Sequence, residues 1–178
     1  MLVCASAIAD ELKPTLPGVR GDDGVRRLTP STWPRLPEWL ARSLRNASCE
    51  IPQFGLEIPA NNIVSGRFLV ATRIDWAVVC SAGGSSTLLI FSRALNMPVE
   101  VQAAKPDALG VYDTGYGWEY SEVIGRISAR VARAAARRHD DELPKPIRAD
   151  GVLICLKEAA CSAHFWHERK WVVVATSD

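Results

Sequence analysis

The sequence predicts an α+β fold: a mainly antiparallel sheet, one long amphipathic helix packed on it, and a short N-terminal helix. Short apolar, β-branched runs separated by turn residues fill the middle and the end of the chain, as in antiparallel sheets. Between them, residues 122–139 repeat apolar side chains at helical spacing. With 178 residues and 48% hydrophobic content the chain can bury one core, so residues 36–178 are expected to form a single domain.

Residues 1–9, MLVCASAIA, resemble the end of a secretory signal with an A-x-A-type cleavage site, although a basic region is missing. We therefore expect an exported protein, periplasmic or secreted; an ordinary apolar N-terminus on a cytoplasmic protein is the alternative. Residues 10–35, rich in proline and glycine, are predicted to form an extended arm. Its Arg-Gly-Asp tripeptide, 20–22, is short enough to occur by chance and supports no hypothesis of adhesion.

A short helix is predicted over 37–47, PEWLARSLRNA, with Pro37 at the first helical position. Its buried face would consist of the apolar side chains at helical spacing, Leu36, Trp39, Leu40 and Leu44.

Residues 75–91, DWAVVCSAGGSSTLLIF, are predicted to form a hairpin of two buried strands, with Gly83 and Gly84 supplying the positive φ angles of the turn. A phosphate-binding loop or a nucleophile elbow would lead into a helix, whereas the apolar run after these glycines is typical of a strand. Asp75 is expected to bind loop amides rather than to catalyse. Further strands are expected at GRFLVA and VEVQA, residues 66–71 and 99–103.

The long helix is predicted over 122–139, EVIGRISARVARAAARRH, with Ser121 as its N-cap. Its buried stripe would consist of Val123, Ile124, Ile127, Val131 and Ala135. The tail from Asp150 is predicted to form three antiparallel strands, GVLICL, CSAHFW and WVVVAT, joined by turns at KEAA and HERK.

Removal of residues 1–9 would take Cys4 and leave four cysteines, an even number that suits two disulfides in an exported protein. Of the three possible connectivities we expect Cys49–Cys80 and Cys155–Cys161, because the second pair lies in one predicted hairpin. Buried free thiols in a cytosolic protein are the alternative. No C-x-x-C spacing occurs and no cysteine adjoins a histidine, so neither a metal nor another cofactor is predicted.

An arginine ridge is predicted along the long helix, where four arginines recur at helical spacing: Arg126, Arg130, Arg133 and Arg137. Such a ridge could bind an acidic protein or another anionic partner; a solvated helix face is the alternative. The helix has no aromatic residues, which disfavours single-stranded nucleic acid.

An aromatic loop, YDTGYGWEY, is the second candidate binding surface, through Tyr112, Tyr116 and Trp118. The alternative is that these rings fold back onto the core.

The other composition signals exclude more than they predict. Lys and Arg number 21 against 20 for Asp and Glu, a net charge of +1 that gives no indication of a nucleic-acid partner. No apolar run approaches the roughly 20 residues of a transmembrane helix. His164 and His167 would point to opposite faces of a strand, and no catalytic set is indicated by spacing.

Several short motifs resemble those of a group of small exported bacterial proteins with no known activity. The motifs are C-x-[IV]-P-Q, G-x-F and D-W-A-V-[LV]-C-S, matched here by CEIPQ (49–53), GRF (66–68) and DWAVVCS (75–81), together with the tail from residue 149. The resemblance spans about residues 36–178 and implies an exported α+β domain without implying an activity. The stretch from GRF to DWA is also similar to one FG-GAP-type propeller motif, but the intervening LVATRI lacks acidic calcium ligands.

Two functional hypotheses follow from the sequence. The first is an exported, non-enzymatic binding or inhibitor module that uses the arginine ridge or the aromatic loop. The second is a hydrolase-type enzyme whose site is assembled from residues distant in sequence. A deep pocket with convergent polar groups would favour the enzyme, and an exposed aromatic or basic surface would favour the binding module.

Overall fold

The chain folds into antiparallel strands and two short helices, which the computed structural model describes over residues 19–20, 24–33, 35–55, 60–115, 118–139, 141–157 and 159–177. In chain order the elements are β1 (Val19–Arg20), β2 (Arg26–Leu28), α1 (Glu38–Asn46), β3 (Ile51–Pro52), β4 (Ile63–Gly66), β5 (Asp75–Ala82), β6 (Ser85–Phe91), β7 (Val99–Pro106), β8 (Val111–Asp113), β9 (Trp118–Tyr120), β10 (Glu122–Ser128), α2 (Ala129–Ala136), β11 (Asp150–Leu156), β12 (Cys161–His167) and β13 (Lys170–Ser177).

Two four-stranded antiparallel sheets form a sandwich. Sheet 1 has the order β4-β5-β6-β7 and sheet 2 the order β10-β11-β12-β13. Strand residues alternate between faces, so every second side chain of each sheet enters the interior. The buried residues between the sheets include Val64, Ala77, Val79, Leu88 and Ile90 from sheet 1 and Ile124, Val152 and Ile154 from sheet 2.

Both outer faces of the sandwich are covered as well. Leu40 and Leu44 of α1 pack with Val78 and Cys80 on the outer face of sheet 1, where residues of β2 and β3 join them. On the outer face of sheet 2, the alanines of α2 pack with Phe165 and with apolar residues that follow the helix. Strand β5 is therefore covered on both faces, as its continuous apolar run predicts.

The predicted α+β fold with one long amphipathic helix is wrong, because the molecule is mainly antiparallel sheet with two short helices. Residues 122–128 form strand β10, all of which pairs with β11, and Ser128 rather than Ser121 is the N-cap of α2. Val131, expected in the buried stripe, is 51% exposed. Over a stretch this short, the spacing of the β-branched residues is compatible with a strand as well as with a helix. The strand forms because its main chain pairs with β11.

The predicted hairpin at 75–91 and the C-terminal meander are confirmed. Ala82 pairs with Ser85 across a turn in which Gly83 and Gly84 have φ of 59° and 79°. Strands β11, β12 and β13 pair in sequence order. Asp75 is fully buried and its carboxylate accepts a hydrogen bond from the amide of Leu69 at 3.0 Å, as predicted.

The two ends of the sandwich carry different segments. The loop end is formed by residues 67–74 and 92–98 and by the β12–β13 turn at 168–169. The hairpin end is formed by the β5–β6 turn, by β8 and β9, and by Lys157 after β11.

Hydrogen bonds join the two sheets at both ends. At the loop end, Trp171 Nε1–H donates to Glu100 O at 2.6 Å. Nearer the hairpin end, the Asn62 side chain donates to Glu122 O at 3.0 Å and accepts from the amide of Ile124 at 3.1 Å. These bonds fix the two sheets relative to each other, which places the segments at each end side by side.

Of residues 10–35, predicted as an extended arm, the structure describes 19–20, 24–33 and 35. Residues 24–33 contain β2 and a 3-10 turn, and Val25, Leu28 and Trp33 are buried. The predicted signal remnant at 1–9, Cys4, residues 10–18 and most of the Arg-Gly-Asp tripeptide lie outside the described residues. Among the described residues, no helix has the length and apolar character that crossing a bilayer demands.

Candidate functional site

A pocket at the hairpin end is a candidate site among the described residues. It has a volume of about 410 Å³ and is lined by Tyr112, Asp113, Thr114, Ser121 and Lys157. Tyr112, Asp113 and Thr114 belong to the predicted aromatic loop, from which only Tyr112 was named as a binding residue, whereas Ser121 and Lys157 were not predicted as site residues.

Main-chain hydrogen bonds hold the walls of this pocket in place. The amide of Ser121 donates to Gly110 O at 2.7 Å, and the amide of Lys157 donates to Ser121 O at 2.9 Å. Asp113 Oδ1 accepts from the amide of Gly115 at 2.8 Å, which forms an Asx turn at the tip of β8. Ser121, at the β9–β10 junction, is therefore bonded on one side to the segment that leads into β8 and on the other to the turn after β11, and the pocket lies between these two segments.

Lys157 supplies the positive charge of the pocket. Its Nζ lies 4.0 Å from the centroid of the Tyr112 ring and 3.6 Å from Glu119 Oε2, and the Tyr112 hydroxyl donates to the same carboxylate. The cation–π contact and the ion pair orient the ammonium group. An ammonium has three N–H donors, and at 3.6 Å the Glu119 pair is electrostatic rather than a short hydrogen bond. Lys157 therefore has N–H donors for a further acceptor, in a pocket whose lining also carries the Asp113 carboxylate.

Beneath the β5–β6 turn lies a buried polar cluster that sequence spacing did not indicate. Ser81 Oγ donates to Asp107 Oδ2 at 2.5 Å, and Arg27 Nη2 lies 3.4 Å from the same oxygen. All three residues are at most 9% exposed. The cluster joins the N-terminal segment, β5 and the residue after β7.

A second part of the same cluster surrounds Tyr120. Tyr120 Oη lies 2.9 Å from Ser86 Oγ, and Lys105 forms an ion pair with Glu122. Burial raises the pKa of the Tyr120 phenol well above its ordinary value, because removal from water disfavours the phenolate; the hydrogen bond with Ser86 opposes this shift. Tyr120 is therefore a neutral hydrogen-bonding group rather than a base.

The serines of the cluster are poorly placed for catalysis. Ser81 and Ser86 are 5% and 1% exposed, and their hydrogen-bond partners are Asp107 and Tyr120 rather than a histidine. A nucleophilic serine needs a base within hydrogen-bond distance and access for the substrate. The cluster is therefore an arrangement that pairs buried polar groups and positions the hairpin end, although Asp107 Oδ1 has no hydrogen-bond partner among the described residues.

The four arginines of the predicted ridge do not form one. Arg126 lies on β10, with its aliphatic stem against Gly66, on the strand face opposite to α2. Arg130, Arg133 and Arg137 share one flank of α2 and its 3-10 extension, but Arg133 donates to Pro144 O and Ile147 O at 3.4 and 3.5 Å. Arg130 and Arg137 remain exposed. The cause is the strand at 122–128, which replaces the expected helix.

The aromatic loop becomes the β8–β9 pair. Tyr112 is half-buried and lines the pocket. Trp118 is the first residue of β9, and Tyr116 lies outside the described residues.

The predicted disulfide pairing is confirmed. Cys49 bonds Cys80 and Cys155 bonds Cys161, with Cα–Cα distances of 5.2 and 4.1 Å. The second pair faces across β11 and β12, and so closes the segment that carries Lys157.

The two neighbouring histidines lie on opposite faces of β12, as their odd spacing predicts. His164 is buried, with Nε2 3.0 Å from Ser162 Oγ, whereas His167 is half-buried and pairs with Glu168 at 3.7 Å. In the part of the chain that the structure describes, no group of three or more His, Cys, Asp or Glu side chains is arranged to hold a metal ion.

The fold and the pocket define a disulfide-bonded antiparallel sandwich with a charged pocket at one end. Comparison with protein-family models, with curated proteins and with solved structures found no match.

Proposed function

We propose that the protein is an exported, non-enzymatic binding module that takes an anionic group of its partner into the pocket at the hairpin end. The observation that carries the proposal is the Lys157 ammonium, held over the Tyr112 ring at the wall of an open pocket. Thr114 and Ser121, two residues with hydroxyl groups, also line the pocket. This combination suits a carboxylate or a phosphate carried by a larger partner.

The pocket is supported better than the basic helix face as the binding surface. Its lining residues come from β8, the β9–β10 junction and the turn after β11, and main-chain hydrogen bonds fix their positions. Of the arginines on α2, Arg133 is already bonded to main-chain carbonyls. Only Arg130 and Arg137 of that flank are exposed, and exposed charges are usually solvated.

The hydrolase alternative receives less support. The polar cluster holds two serines, but both are buried, and their hydrogen-bond partners are Asp107 and Tyr120 rather than a histidine.

Export is supported by the two disulfides, since such bonds form and persist in oxidising compartments. The resemblance of the sequence to exported bacterial proteins agrees with export, which remains a prediction.

The binding proposal is tested by amide chemical-shift titration with a short polyglutamate peptide and its polyglutamine counterpart. We expect saturable shifts at 112–115, 121 and 157 with polyglutamate alone. Lys157→Gln should weaken that binding about tenfold or more, because a hydrogen bond to a charged group contributes about 1.5–3 kcal/mol.

The matched control is Lys145→Gln, which removes an exposed lysine outside the pocket. It should bind polyglutamate as the wild type does. Equal loss in both variants, or equal shifts with the two peptides, would contradict an anion site at Lys157.

A further inference from the structure

The loop end of the sandwich exposes a cluster of large apolar side chains. They lie on the two segments that leave neighbouring strands of sheet 1 at that end, 67–74 and 92–98. These side chains are Val70, Ile74, Leu95 and Met97. Each is at least 41% exposed, and Met97 is 75% exposed. Groups of exposed apolar side chains on adjacent segments mark interaction surfaces more often than single ones do.

Exposed cations lie on the same segments and on neighbouring parts of the loop end. Within the described residues none of their side chains forms a salt bridge. They are Arg67, Arg93, Arg126, Arg169 and Lys170. The acids near these segments are Glu100 and Glu168, which are exposed, Asp75, which is fully buried, and Asp150, which is half-buried and accepts a hydrogen bond from the amide of Arg67 at 3.0 Å. Among the described residues of this end, exposed cations therefore outnumber exposed carboxylates, in a chain whose net charge is only +1.

We propose that the loop end docks on the headgroup region of an anionic lipid bilayer. The apolar side chains at the loop end enter the boundary between headgroups and acyl chains, and the exposed cations of this end contact the lipid phosphates. Apolar insertion combined with attraction to anionic lipid is the combination that holds peripheral proteins at a membrane surface. The position of the cluster favours a lipid surface over a protein groove, because the apolar groups lie on segments at the tip of the sandwich rather than on a sheet face.

Cosedimentation with vesicles tests this proposal. Binding is expected to vesicles that contain phosphatidylglycerol, to be weaker by at least about tenfold to vesicles of phosphatidylcholine alone, and to fall as salt rises. Met97→Asp should reduce binding about tenfold or more, because it places a carboxylate at the anionic surface. Arg67→Gln with Arg93→Gln should also reduce it, by about fivefold for each charge.

Leu109→Asp is the matched control. Leu109 is 75% exposed, as Met97 is, but it lies after β7 at the hairpin end. This variant should bind vesicles as the wild type does, and since both positions are exposed, both variants should fold. Equal losses in the two variants, or equal binding to neutral vesicles, would overturn the proposal.

Self-association through the loop end is distinguished by light scattering. A stable dimer that Met97→Asp dissociates, without binding to anionic vesicles, would also overturn the proposal. The pocket lies at the other end, so failure of the vesicle experiment leaves the peptide experiment at Lys157 unaffected.

Discussion

His164 lies between the two sheets, 7% exposed, and its Nδ1 has no hydrogen-bond partner among the described residues. Burial lowers the pKa of His164 from 6.5 to about 4, because the imidazolium would lose its hydration. The folded protein therefore keeps a neutral imidazole over a pH range in which the unfolded chain takes up a proton.

This difference predicts an acid-dependent loss of stability. Below pH 6.5 the unfolded state binds the extra proton, so the free energy of unfolding should fall as pH falls from 7 to 4.5, by about 2 kcal/mol from this group. Urea denaturation of His164→Gln should show a pH dependence shallower by that amount. His167→Gln, which changes the half-buried histidine of the same strand, should keep the wild-type dependence; equal behaviour of the two variants would contradict the assignment to His164.

At the level of elements, the β5–β6 hairpin and the stretch 122–136 show what the sequence can predict. The hairpin depends on local signals, two apolar runs and a glycine pair, and it forms as predicted. The boundary at Ser128, where β10 ends and α2 begins, depends on pairing with β11, which lies beyond a helix and a loop. Local periodicity could not reveal that contact.

Gly83 tests the turn that the hairpin requires. Its φ is 59°, and an added Cβ would meet nothing within 4 Å, so the cost of a side chain there is conformational. Gly83→Ala should lower the free energy of unfolding by about 1–2 kcal/mol, the cost of a left-handed conformation.

Gly83→Asn is the matched variant, because asparagine adopts that conformation more readily. Measured by urea denaturation, it should lose clearly less stability than Gly83→Ala. Equal losses would indicate that the left-handed conformation is not the reason for glycine.

At the scale of the whole molecule, the disulfides were predictable, whereas Tyr112 alone of the pocket residues was named from the sequence. Cysteine number and the C-terminal hairpin were sufficient to choose the pairing. The pocket joins Tyr112 to Lys157, and the polar cluster joins Arg27 to Asp107; both contacts depend on how distant strands meet. A sequence pattern carries information on such contacts only after the topology is known.

The two disulfides should differ in their effect on stability. They close segments of different length, with sequence separations of 31 for Cys49–Cys80 and 6 for Cys155–Cys161. Loop-closure entropy predicts a loss of about 4 kcal/mol for Cys49→Ala with Cys80→Ala and about 2 kcal/mol for Cys155→Ala with Cys161→Ala. Urea denaturation of the two double variants measures both values, and the reverse order would contradict this account.

Each disulfide also stays on its own side of the sandwich. Cys49–Cys80 lies on the outer face of sheet 1, and Cys155–Cys161 joins two strands of sheet 2. If mechanical tension pulls the two sheets apart, neither disulfide resists their separation, because neither of them joins one sheet to the other. Their cohesion then rests on the close fit of the opposed faces and on a few bridging side chains such as Asn62.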